Sequence, residues 1–285
     1  MGQRLIVSIF FMTVSWILIY PQTGKVFKND VFLQKLNKDT AYLGLKKKIT
    51  SEYSQKKPGK WGAFFKGELI DEMTSSKAVA LTFDACGGKG GSGFDKALLD
   101  YLIQEKVPAT LFISGKWIDE NFDTFMVLSL DTLFEIENHG LNHRPISLDG
   151  EAAYGIHGTL NADEAFDEIE SNAWKIRALT NRYPHFFRSA TTYVNESCIN
   201  MADKLGIKIV SYHVLAGDAV SGTSVTEMED NVIRNIIPGA IILMHMNHPE
   251  RNTCKAVQKI VPELRSKGYS FWRLTDFEKI IPKNN

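Results

Sequence analysis

From Lys77 onward the chain alternates short apolar runs with amphipathic stretches, and this alternation limits its fold more than any other feature. Ala78–Phe83, Ala109–Ile113, Leu133–Ile136, Phe186–Arg188, Ile207–Val214, Ala240–His245 and Ser270–Leu274 read as strands. Each is short, rich in β-branched or aromatic residues, and bounded by glycine, proline or polar residues. Helical periodicity covers Phe94–Glu105, Ala162–Leu179 with Asn161 as its cap, Glu196–Leu205, Ser224–Ile236 and Thr253–Lys267. Apolar strands separated by helices imply a parallel sheet covered by helices, either doubly wound or closed into a barrel. The roughly 200 residues involved are few for a full eight-fold barrel.

The polar residues at the strand ends carry the functional reading. Asp84 follows the first strand, His139 the third, Arg188 its own strand, Asp218 the Ile207–Val214 run, and His245 the next. All are carboxyl ends, and in parallel α/β architectures that is one face, where loops converge to form sites. Any one of these residues alone means little. Five ionisable groups so distributed point to a shared centre.

Asn138–Pro145 contains two histidines four apart, His139 and His143. One helical turn would place both imidazoles on the same side, as two ligands of one divalent metal need, with a carboxylate and water completing the sphere. A surface pair near a helix start is the plainer reading of the octapeptide, and its position on the same rim as the other four groups favours the metal site.

Thr82-Phe83-Asp84, His139-x-x-x-His143, Arg188 with Tyr193, Asp218, and Leu243-Met244-His245 resemble, in order and approximate spacing, the five motifs of the NodB-type polysaccharide deacetylases, over about residues 77–275. The resemblance implies a distorted (β/α) barrel with about seven parallel strands. It implies metal-dependent hydrolysis of N-acetyl, less often O-acetyl, groups on an amino-sugar polymer. It also implies His139 and His143 as ligands of a divalent metal, zinc foremost, and Asp84 as base on a metal-bound water. His245 would be the acid that protonates the leaving amine, Asp218 would hold that imidazole, Arg188 would orient the base, and the backbone near Tyr193 would help with the oxyanion. The chemistry is coherent in its own right: a metal acidifies water and polarises an amide carbonyl, and an amine leaves only when protonated. A base and an acid at opposite rims of one cleft would supply the pair.

Three departures stand out. The family's second aspartate is Ala85 here, followed by Cys86, so Asp84 is expected to serve the metal as well as the water; the alternatives are a two-histidine site left more to solvent, and entry of Asp95 or Cys86. The third motif runs Arg188 to Tyr193 without proline, and no tryptophan follows Asp218. His248 is a candidate substrate contact, with a structural hydrogen bond equally open. Gly87–Gly93 does not match the phosphate-loop pattern G-x-x-x-x-G-K-[ST] and reads as a tight or flexible loop at the rim. Trp61, Trp117, Trp174 and Trp272 read as packing residues, with one or two open to a sugar platform.

The remainder of the chain bears on location. Lys+Arg and Asp+Glu number 33 each, so no global charge suggests a nucleic-acid partner. Cys86, Cys198 and Cys254 form no disulfide framework and read as small buried residues. Leu5–Tyr20 carries no charge and reads as an export signal or membrane anchor within residues 1–22. Residues 23–76 read as a basic linker segment with ten lysines between 21 and 60: a solvated linker without a partner is the plainer reading, contact with anionic lipid or wall polymer the alternative, and Val31-Phe32-Leu33 with Leu36 could form a short helix. The catalytic domain is expected over 77–280, in an exported, periplasmic, membrane-anchored or secreted protein. Two alternatives remain: another amide or ester hydrolase on the same scaffold, and a non-enzymatic carbohydrate-binding wall protein.

Overall fold

A computed structural model describes residues 24–65 and 77–278. The uncharged run Leu5–Tyr20 lies outside them.

The strands are β1 (Ala78–Ala85), β2 (Ala109–Ile113), β3 (Phe134–Asn138), β4 (Phe186–Phe187), β5 (Lys208–Ile209), β6 (Val214–Leu215), β7 (Ile241–His245) and β8 (Ser270–Phe271). Seven run in the order β6-β7-β1-β2-β3-β4-β5, and β8 pairs with the start of β1. Every pairing among them is parallel. The outermost members, β5 and β6, are two halves of the single run expected at Ile207–Val214. Val210 N–H donates to the Phe187 carbonyl at 2.9 Å, while His213 N–H, three residues on, donates to Ile241 at 2.9 Å. One segment thus leaves the β4 side and joins the β7 side, which wraps the sheet into a distorted barrel.

Strand alternation sorts the side chains. Val79, Leu81, Phe83 and Ala85 of β1 join Leu111, Ile113, Ile136, Ile242 and Met244 in the apolar layer beneath the helices. Ala78, Ala80, Phe112, Phe186 and Ile241 form the barrel's inner core with Leu274 and Phe277. The same parity turns Thr82 and Asp84 inward on β1. It also places His139 on the inner face beyond Glu135 and Glu137 of β3, Arg188 beyond Phe186 of β4, and His245 beyond Ile241 and Leu243 of β7.

The helices are α1 (Asn29–Leu36), α2 (Thr40–Tyr53), α3 (Lys96–Gln104), α4 (Gly115–Glu120), α5 (Phe122–Leu130), α6 (Ala162–Thr180), α7 (Glu196–Lys204), α8 (Val225–Asn235), α9 (Thr253–Ser266) and α10 (Leu274–Glu278). The caps match their sequences: Asn161 accepts from Glu164 N–H on α6, and Ser224 and Glu227 form a reciprocal capping box on α8. The Ser270–Leu274 strand is shorter than expected. It stops at Phe271 because Leu274 N–H is taken by Glu135 (3.0 Å) and Thr110 (3.1 Å) inside the barrel, which starts α10.

The basic segment is not a linker over residues 24–65. α1 and α2 pack on the barrel, with Phe32, Leu36, Tyr42, Ile49 and Tyr53 buried against Phe166, Ile169 and Ala173 of α6 and Cys198 and Ala202 of α7. Each such side chain contributes roughly 1.5–3 kcal/mol by burial. Its lysines are partly used within the fold, as in the 2.5 Å pair of Lys46 with Asp167. The lysine-rich composition hid an apolar stripe that meets a matching face on α6.

Candidate active site and metal centre

Asp84 and His245 are register partners on adjacent strands β1 and β7, so they are neighbours rather than residues on opposite rims. Their partners pull them apart. Asp84 Oδ1 accepts from Arg188 NH1 at 2.8 Å, and its Oδ2 lies 3.7 Å from His139 Nε2. Burial alone would raise the Asp84 pKa, but the charges of Arg188, His139 and His245 outweigh it and hold the carboxyl below its ordinary value. Arg188 is fully buried, bonded also to Thr82 Oγ1 (2.9 Å) and the Ser211 carbonyl (3.1 Å), and lies over the Phe112 ring at 4.1 Å. It therefore fixes the carboxylate as well as compensating it.

On the other side, His245 Nδ1 donates to Asp218 Oδ1 at 3.1 Å. Asp218 is itself held by the His245 backbone N–H (2.6 Å) and Thr253 Oγ1 (3.1 Å), and Arg251 bonds its carbonyl at 2.8 Å. Burial would lower the His245 pKa, but Asp218 reverses this and raises it, which favours the imidazolium. With Nδ1 so engaged, Nε2 is the nitrogen left to the cleft.

His139 and His143 meet through a loop, not a helical turn. The chain leaves β3 at Asn138, and both Gly140 (φ +83°) and His143 (φ +56°) are left-handed, which no helix permits. The rings approach to 4.8 Å between centroids. His139 Nδ1 donates to the Arg188 carbonyl at 2.8 Å, leaving Nε2 as its donor atom. Burial lowers the pKa of both histidines, so they stand neutral, as ligands must.

The third group converging on them is Cys86: among the described residues, one donor atom each from Cys86, His139 and His143 lies within 4.8 Å of the others. Cys86 Sγ is 3.9 Å from His139 Nε2. Tetrahedral bonds of about 2.0–2.3 Å put ligand atoms roughly 3.3–3.8 Å apart, so a modest contraction would seat a zinc-sized ion. The donor set fits a divalent metal. Asp84 Oδ2 also lies 3.7 Å from His139 Nε2, but the mutually close set holds Cys86, His139 and His143 without it, and its Oδ1 is committed to Arg188. Asp95 is used elsewhere, capping α3 at Leu98 N–H (3.0 Å).

Residues that sequence reasoning passed over hold the loop. Glu168 of α6 is buried and accepts from Asn142 N–H at 3.0 and 3.1 Å and from Arg144 N–H at 3.0 Å. Burial, opposed by these bonds, pushes its pKa up to about 7. A Cβ at Gly140 would stand 2.3 Å from Glu168 Oε1, so only glycine lets the carboxylate close on the loop. Asn138 Oδ1 accepts from Gly140 N–H (2.9 Å) and from Asn172 (2.8 Å), whose amide also reaches the Ile113 carbonyl at 2.9 Å. Acidic and amide residues on the buried face of a helix next to a metal-type loop were the available clue.

Tyr193 follows two left-handed threonines, 191 and 192, and its carbonyl is tied to Ser189 Oγ at 2.8 Å. Its ring sits among aromatics, 5.7 Å from Trp61 and 5.8 Å from Tyr154, and Phe64 meets Tyr212 at 5.1 Å. Trp61, read as packing, reaches this rim because Trp61–Gly62 pairs antiparallel with Val194–Asn195. Tyr154 and Phe64 are 82% and 53% exposed, unusual for rings with no structural task. His248 bonds Glu250 at 2.9 Å, the structural alternative. Gly87–Gly93 is a tight loop: Asn247 and Trp117 bond its carbonyls at Gly91 (2.9 Å) and Gly93 (2.8 Å).

The architecture is that of the barrel carbohydrate esterases, and comparison narrows it further. The sequence profile described as polysaccharide deacetylase matches residues 71–210. A peptidoglycan-N-acetylglucosamine deacetylase of Bacillus cereus is 28% identical over 201 residues, 69% of this chain and 86% of the relative. The solved Bc1960 peptidoglycan N-acetylglucosamine deacetylase superposes with a TM-score of 0.62 at 26% identity, covering 72% of this chain and 90% of that one. BA3943 of Bacillus anthracis, described as a pseudoenzyme of carbohydrate esterase family four, superposes with a TM-score of 0.60 at 25% identity, covering 71% of this chain and 65% of its own length. Residues 71–210 thus match the polysaccharide deacetylase family, and the likeness to its solved structures extends over about seven-tenths of the chain.

Proposed function

We propose that the protein is a metal-dependent deacetylase that removes N-acetyl groups from an amino-sugar polymer of the peptidoglycan or chitin type. The observation that carries this is the pairing of Asp84 and His245 in register beside the His139–His143–Cys86 cluster. A divalent metal bound there would acidify a water and polarise the acetyl carbonyl. Asp84, anchored through Oδ1, keeps Oδ2 to take the proton of the attacking water. His245, kept protonated by Asp218, donates from Nε2 to the departing amine. Arg188 positions the base. Tyr193, Trp61, Tyr154 and Tyr212 offer aromatic faces to the pyranose rings beside the reacting sugar. Such a polymer lies outside the cell membrane, and Leu5–Tyr20 is the sequence feature suited to export; among the described residues no helix is long and apolar enough to cross a membrane.

The test is acetate release from N-acetylglucosamine oligomers and peptidoglycan by purified protein, with a bell-shaped pH profile and loss on chelation. Absence of acetate from every such polymer, with metal demonstrably bound, overturns the proposal. Ala85 in place of a carboxylate, together with the likeness to a pseudoenzyme, favours a second reading as a polymer-binding protein without turnover. In that case His245→Ala would leave polymer binding intact and there would be no activity to lose.

A further inference from the structure

Position 85 contributes nothing polar to the centre. Ala85 is fully buried and belongs by strand parity to the apolar layer under the helices, with Phe83 and Ile113. The next residue turns back toward the cleft, and its backbone is pinned at three successive carbonyls. Met246 N–H donates to Asp84 O at 3.0 Å, Ser114 N–H to Ala85 O at 3.1 Å, and Ser114 Oγ to Cys86 O at 2.6 Å. Gly87 then takes φ +75°, where a Cβ would lie 2.4 Å from Trp117 N, so the chain can leave Cys86 in this direction only through glycine. The thiol is thereby aimed, by rigid main chain, at the Nε2 of His139.

The geometry points to Cys86 as the third protein ligand: its thiolate replaces the missing carboxylate and makes this a Cys-His-His centre selective for zinc over harder divalent ions. Two imidazoles and a thiolate form a set with one soft donor, which suits zinc and disfavours manganese or magnesium. Asp84 is then released from any ligand duty and left to Arg188 and the proton. The inference rests on the reading that this centre binds a metal, but not on the identity of the polymer or on turnover.

Cobalt(II) titrated into the metal-stripped full-length protein tests it. The wild type is expected to bind one cobalt with a thiolate-to-cobalt charge-transfer band in the near ultraviolet. Cys86→Ser should lose the band and about tenfold or more in zinc affinity. Cys86→Asp should lose the band yet keep cobalt, with the preference for zinc over manganese reduced, and unchanged circular dichroism would show that both variants fold. Stoichiometric cobalt without the band, or zinc affinity unchanged in Cys86→Ser, overturns the thiolate assignment and leaves the hydrolase reading standing. Failure of the wild type to bind any metal overturns both.

Discussion

Glu168→Ala is the most informative perturbation of the loop that carries His139 and His143. Glu168 is the acceptor for two backbone N–H groups, at Asn142 and Arg144, that flank His143 on both sides. Alanine leaves both part-buried donors without a partner, at up to about 1–3 kcal/mol each, or at most roughly 2–6 kcal/mol if the loop stays in place. The loop can avoid that cost by moving, and His143, which lies between the two donors, then moves with it. Metal affinity should fall about 10- to 100-fold, as when outer partners of ligating groups are removed. Zinc affinity by competition with a chromophoric chelator reads the local effect, and urea unfolding of the metal-free protein reads the global one. Glu168→Gln, which keeps one acceptor oxygen, should lose less of both. Zinc affinity within twofold of wild type in Glu168→Ala would refute the account of the loop.

Other expectations follow from the same geometry. Arg188→Met leaves the Asp84 charge buried without its partner and should cost about 3–5 kcal/mol in chemical denaturation. In any active fraction, the acid limb of the rate profile should move to higher pH, because Arg188 opposes the burial that raises the Asp84 pKa. Asp218→Asn removes the group that raises the His245 pKa against burial, so the alkaline limb of kcat should move to lower pH. An unmoved alkaline limb would show that His245 is not the titrating acid. Phe32→Ala, in the segment expected to be a linker, should destabilise the whole protein by about 3–5 kcal/mol in a single unfolding transition. A negligible change would mean that α1 is not integral to the fold.

Much of the barrel is legible in the chain because its rules are local. Apolar runs mark β1, β2 and β7 to within about two residues, and Asn161 and Ser224 announce α6 and α8. The two-residue period then states which side chains face inward, and Asp84, His139, Arg188 and His245 all fall on that parity. Val31-Phe32-Leu33 and Leu36 hint at α1, but α2, α4 and α5 escaped, α2 because its lysines masked a stripe that has meaning only against α6.

What the sequence determined by itself is therefore the scaffold and the rim: parallel strands, their inward faces, and five ionisable groups at their carboxyl ends. Hydrophobic periodicity and strand parity are properties of neighbours in the chain, and they survive without knowledge of anything distant. Only the tertiary structure decided the composition of the centre. Cys86 meets His139 at a sequence separation of 53, Glu168 closes on Asn142 from a helix, and Trp61 arrives from the segment that precedes the barrel. Those contacts depend on left-handed turns at Gly87, Gly140 and His143, each stabilised by packing partners remote in sequence. A side chain's parity can be counted along a strand, but the path of a loop is set by whatever it is folded against.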